Sequence, residues 1–163
     1  MFDKFGEFDS FEEINKAAAG QKEEGDEDAL FAIAAENGID KEDAEDYFDG
    51  VVDELCTPLI AALGKLKVEE KDLKPKDIMQ DWLNYIRTLC ADNEEMQLAI
   101  RRKGKSLKGC IGELLKWSFD HQQTVDNEIV KAAGVKAGKI TLGIPGMGTA
   151  HKLIRKYYLE GGK

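Results

Sequence analysis

The feature that most constrains this chain is an apolar stripe at helical spacing. Ile78, Trp82, Tyr85, Ile86 and Leu89 fall at i, i+4, i+7, i+8 and i+11. That period places all five on one face of an α-helix, which must be buried against other elements. The same signal recurs downstream. Met96, Leu98 and Ile100 follow Asp92-Asn93-Glu94-Glu95, an acidic start of the type that caps a helix. Ser106 then caps a longer helix carrying Leu107, Cys110, Ile111, Leu114, Leu115, Trp117 and Phe119, ending near His121. Asp126 starts a helix through Ile129, Val130 and Ala133, closed by Gly134. A last helix, Thr149 to Leu159, carries Leu153, Ile154, Tyr157 and Tyr158.

The first half repeats the pattern in shorter pieces. Ser10-Phe11-Glu12-Glu13 is a capping box and predicts a helix to about Ala19, before Gly20. Gln21 to Asp28 reads as a polar loop with a new start near Asp26, and Asn37-Gly38 stops the helix that follows. Asp40 caps a third helix with Ala44, Tyr47 and Phe48 inward. Pro58 suits the first turn of a fourth, ending at Gly64. Lys65 to Pro75 is charged and reads as a linker. Between residues 134 and 148, five glycines and Pro145 surround Ile140-Thr141-Leu142, an ordered-looking loop with one extended segment. The expected fold class is all-α. A small acidic helical unit (1–66) and a linker (67–76) precede a basic helical bundle with a Gly-rich loop (77–163).

The 163 residues suffice for one good core or two small helical units. No apolar run approaches the roughly 18 residues of a membrane span, so no membrane association is expected. Met1 to Glu7 lacks the basic-then-apolar layout of a signal peptide, and a cytoplasmic location is expected. The three cysteines are odd in number and never spaced C-x-x-C, which argues against a disulfide framework or zinc site. Cys90 and Cys110 fall on apolar faces and read as small core residues.

Charge divides unevenly. Residues 1–56 hold 19 acids against 4 bases, while the remainder holds 13 acids against 19 bases. That asymmetry fits two surfaces with different partners, two halves that attract each other, or a net charge of −9 that keeps the protein soluble. The candidate binding residues follow from it. Arg101, Arg102, Lys103, Lys105 and Lys108 put five cations in eight residues, and Lys152, Arg155 and Lys156 add to them on the last helix. Such a cluster can contact phosphates, dock an acidic protein, dock the chain's own N-terminal half, or simply be a solvated helix end. Asp40, Glu42, Asp43, Glu45, Asp46 and Asp49 form an acidic surface whose fixed carboxylates can imitate the charge of nucleic acid.

Catalytic and metal motifs fail on inspection. Gly104-Lys105-Ser106 ends like a P-loop, but Ala99 stands where the first glycine belongs and a helix precedes it. Counting back from Gly50 puts Tyr47 at the third position of an EF-hand loop. Gly143 to Gly148 has the wrong spacing for dinucleotide binding. His121 and His151 pair neither with each other nor with a cysteine. The expectation is a non-enzyme with no cofactor and no metal.

From about Asp77 to Glu160 the chain is similar to the PcfK-like family of proteins from conjugative plasmids and other mobile elements. The residues that carry the resemblance are Trp82, Tyr85 and Ile86; Asp92 to Ile100; Gly104-Lys105-Ser106-Leu107 with Cys110 and Ile111; Asp126, Glu128, Ile129 and Val130; and Tyr157-Tyr158 with Glu160. Some PcfK-like proteins are similar to inhibitors of the CRISPR nuclease Cas9. The resemblance therefore implies an anti-CRISPR protein whose partner is a Cas9-type nuclease or its guide complex. Two alternatives stand beside it: a DNA- or RNA-binding accessory protein of conjugation or replication, and a protein–protein adaptor.

Overall fold

The computed structural model describes residues 3–160. The first two and last three positions of the expected units lie outside the described residues. The architecture is all-α: nine helices and one two-stranded ribbon among the described residues.

The N-terminal helices begin where local chemistry says they should. Ser10 Oγ accepts from the Glu13 N–H at 3.3 Å, and Glu13 Oε2 accepts from the Asp9 N–H at 2.7 Å. Helix α1 (Phe11–Glu24) then runs through Gly20 instead of stopping before it. A mid-helix glycine costs only about 1 kcal/mol, and Ile14 and Ala18 anchor the helix in the core. Gly25, at φ +70°, closes it by returning its N–H to the Gln21 and Lys22 carbonyls. Asp26 Oδ1 caps α2 (Glu27–Glu36) through the Ala29 N–H. Helix α3 (Lys41–Phe48) follows. Ile14, Leu30, Ile33, Ile39, Tyr47 and Leu55 form the centre of a first core.

Helix α4 (Pro58–Leu73) corrects the sequence reading most. Thr57 Oγ1 caps it through the Ile60 N–H, with Pro58 in its first turn as expected. It neither ends at Gly64 nor gives way to a linker: Lys65 to Leu73 is helical, and the chain turns only at Lys74. The expected boundary at 66/67 falls inside this helix. Ile60 and Ala61 pack on the first core, whereas Ala62 and Leu66 belong to the second. One helix thus walls both cores.

The second core is assembled by α5 (Ile78–Ala91), α6 (Glu94–Arg101), α7 (Leu107–Asp120) and α9 (Met147–Leu159) around Trp82, Leu83, Ile86, Met96, Leu114, Ile154 and Tyr158. The predicted caps Asn93, Ser106 and Asp126 all accept from their helices' first-turn N–H groups. Helix α6 ends at Arg101, two residues short of Lys103. Helix α8 (Asn127–Ala132) lies between β1 (Gln123–Thr124) and β2 (Thr141–Leu142). The strands pair antiparallel, Gln123 opposite Leu142, which gives the Gly-rich loop its one extended segment. All three cysteines are buried and free. No helix among the described residues is long and apolar enough to cross a membrane.

Candidate functional site

The basic junction between α6 and α7 is engaged within the fold in part, through Arg101 and Lys105. Arg101 does not belong to a surface. It is 1% exposed, and its Nη2 donates to Asn37 Oδ1 at 2.8 Å and to the Phe8 carbonyl at 3.1 Å. Burial draws its pKa below the ordinary value, with the Glu7 charge opposing. The guanidinium ties α6 to α2 and to the N-terminal segment.

A second buried cation, Lys65 on α4, lies in the same region. Charge made it read as linker, and only its i, i+4 relation to Glu69 hinted at a shared face. Its Nζ meets Glu7 Oε1 at 2.6 Å and donates to the Arg102 carbonyl at 2.9 Å. Burial pulls its pKa down. Glu69 accepts from the Leu107 N–H at 3.0 Å, and burial raises its pKa despite that bond.

The remaining predicted cations keep their charge in solvent to differing degrees. Arg102, Lys103 and Lys108 are exposed. The Lys103 N–H donates to Asp9 Oδ1 at 2.6 Å. Lys105 is half-buried, donates to the Tyr157 carbonyl and sits 5.0 Å from the centroid of its ring. Lys152, Arg155 and Lys156 are exposed on α9, and Arg155 Nε donates to Tyr85 Oη at 3.2 Å. The structure brings Lys105 and Lys156 into one shallow depression, but Glu113 and Glu160 line it too. No uniform basic groove results there.

The acidic surface is the opposite case. Helix α3 is rigidly seated through Ala44 and Tyr47 and presents its carboxylates outward. Asp40 pairs with Lys67, and Glu45 with Lys41 at 2.6 Å. Glu42, Asp43, Asp46 and Asp49 form no ion pair among the described residues, nor do Asp53 and Glu54 in the following loop. Asp43, Asp46, Asp53 and Glu54 rim a depression of about 510 Å³ whose apolar lining is Val52, Leu55 and Ile60. Asp53 and Glu54 belong to the same acidic stretch of sequence but are not among the acidic-surface residues read from it. The turn that brings them beside α3 has no periodic signature. No group of His, Cys, Asp and Glu that could hold a metal ion is found among the described residues.

The aromatic residues serve the fold first. Trp82 and Tyr158 are buried, while Tyr85 stacks on His151 with ring centroids 3.5 Å apart and planes 7° apart. Trp117 stacks on His121 beside an apolar groove that includes Ile129, Leu142 and Ile144.

These features define a small helical protein with one open carboxylate face and one basic junction that its own N-terminal segment covers in part. No protein-family model, curated protein or solved structure matches the chain.

Proposed function

We propose that this chain is a non-enzymatic binding protein, and specifically an anti-CRISPR-type inhibitor that lays its α3 carboxylate face against a basic groove of a Cas9-type nuclease or its guide complex. The observation that carries the proposal is the open carboxylate face of α3. On the basic side, Arg101 is committed to internal contacts and Lys105 is anchored on Tyr157, while Arg102, Lys103 and Lys108 stay exposed. Glu42, Asp43 and Asp46 on α3, Asp49 at its C-cap, and Asp53 and Glu54 in the following loop have no cation paired to them among the described residues. An array of uncompensated carboxylates on a rigid helix is complementary to a groove built for phosphates. The likeness to PcfK-like proteins in residues 77–160 supplies the choice of a CRISPR nuclease as partner.

The test is DNA cleavage by a purified Cas9–guide complex. The native protein is expected to inhibit it. The triple variant Asp43→Lys, Asp46→Lys, Asp53→Lys is expected to weaken inhibition by tenfold or more on the order expected for like-charge juxtaposition. Lys152→Glu with Lys156→Glu is expected to leave it unchanged. Full inhibition by the acidic-face variant would remove that face from the mechanism.

A second reading is a nucleic-acid-binding accessory protein, favoured by exposed Arg102, Lys103, Lys108, Lys152 and Lys156. It requires a gel shift with bare DNA that weakens steeply with salt.

A further inference from the structure

Residues 3–10 contain no helix, yet they are tied down at four points. The N–H groups of Lys4 and Phe5 donate to the two carboxylate oxygens of Glu36, at 2.7 and 3.1 Å. Glu7 pairs with Lys65, the Phe8 carbonyl accepts from Arg101, and Asp9 accepts from the Lys103 N–H. An ammonium, a guanidinium and a backbone N–H that converge this way are the donors of an anion site. Here the chain's own Glu7 takes the ammonium, Asp9 the backbone N–H, and the Phe8 carbonyl the guanidinium. Under that cover Lys65 and Arg101 are each 1% exposed.

We propose that residues 3–10 are a latch over an anion site, that the site's external ligand is the phosphodiester backbone of a single-stranded nucleic acid, and that latch and nucleic acid exclude each other. Repeating phosphates suit the site better than a lone carboxylate because its cations are several and close together in the sequence. Arg101, Arg102, Lys103, Lys105 and Lys108 follow one another with no acid between Glu95 and Glu113. Lifting the latch takes Glu7 from Lys65 and the Phe8 carbonyl from Arg101, beside the exposed Arg102, Lys103 and Lys108, while Arg101 keeps Asn37 Oδ1. Glu69, beside Lys65, then remains as a partial counter-charge within the site. The latch is suited to opening: its contacts through Lys4 and Asp9 are exposed hydrogen bonds, and Glu7 is 31% exposed. This inference concerns a surface other than the α3 face and stands apart from the proposed inhibition.

The test uses the full chain and a fluorescein-labelled oligo(dT) of about 20 nucleotides. At about 50 mM salt, Glu7→Gln with Asp9→Asn is expected to bind about tenfold tighter than the native protein. Its log–log salt slope should be steeper by about 1.4, about 0.7 for each cation the latch releases. Adding Arg102→Glu and Lys103→Glu should abolish the gain. Hydrogen exchange on the unmodified chain supplies an independent reading: the oligonucleotide should speed exchange of the Lys4 and Phe5 amides. Should circular dichroism show the double variant unfolded, Asp9→Asn alone replaces it, with about threefold tighter binding expected. Equal affinity of the folded variant and the native chain overturns the proposal. So does binding that leaves the Lys4 and Phe5 amides protected.

Discussion

Gly38 and Gly64 meet backbone to backbone. A Cβ on Gly64 would lie 2.2 Å from the Asn37 carbonyl oxygen, and one on Gly38 would lie 2.2 Å from the Gly64 carbonyl oxygen. The turn after α2 and the middle of α4 approach this closely only because neither residue has a side chain. Gly64→Ala is therefore expected to destabilise the protein by about 1–3 kcal/mol, the range for overpacking. At about 2–4 °C per kcal/mol, the melting temperature should fall by several degrees. Gly20→Ala is the control. Nothing lies within 4 Å of a Cβ there, so helix propensity should raise stability by about 0.5–1 kcal/mol. Thermal melts of the two variants should move in opposite directions.

Arg101 and Lys108 separate structural from surface cations. Arg101→Ala leaves Asn37 Oδ1 and the Phe8 carbonyl without their donor in a buried region. A loss of about 3–5 kcal/mol is expected. Lys108→Ala, at an exposed position, should stay within about 0.5 kcal/mol. Urea unfolding reads both. A charge reversal that includes Arg101 tests folding before it tests binding, so surface tests belong at Arg102, Lys103 and Lys108.

The cysteines should be chemically silent in the folded protein. Burial pushes the Cys56 and Cys110 thiols up to about 12 and Cys90 to about 11. The thiolate is the reactive form. At pH 8, iodoacetamide should label all three at least about 100-fold more slowly in the native chain than in urea. Rapid native labelling of any one would contradict its burial.

Glu69 gives stability a pH dependence whose sign can be worked out. Burial, the largest cause, raises its folded pKa above the unfolded value of 4.5. Its contribution is then fully present below 4.5 and is lost as pH rises through the folded value. Glu69→Gln removes that titration and retains an oxygen to accept from the Leu107 N–H. The stability of Glu69→Gln relative to native should therefore improve between pH 4.5 and pH 7.5. Denaturant unfolding at the two pH values checks it, and a constant difference would contradict it.

Much of the fold was legible because caps and periodicity are local. Ser10, Asp26, Asn93, Ser106 and Asp126 each bond an N–H two or three residues ahead. The stripe on α5 buries Trp82 and Ile86, with Ile78, Tyr85 and Leu89 partly covered. The errors cluster where a local rule met a distant partner. Gly20 and Gly64 lie inside helices that a glycine rule would end. Lys65 and Glu69 face inward at positions where charge ordinarily marks solvent. The acidic residues of α3 were readable as a surface, but the depression they share with Asp53 and Glu54 depends on a loop that no period describes.

The sequence by itself determined that the chain is helical, where most helices start, which stripes are apolar, and that its charge is divided between its ends. Those properties depend on residues within a turn or two of one another. The tertiary structure alone decided which charges remain open. Glu7 lies 58 residues from Lys65, and Phe8 lies 93 residues from Arg101. Whether a cation is a surface or a strut depends on partners at such separations, because desolvation and pairing are set by what packs around a group rather than by its neighbours in the chain.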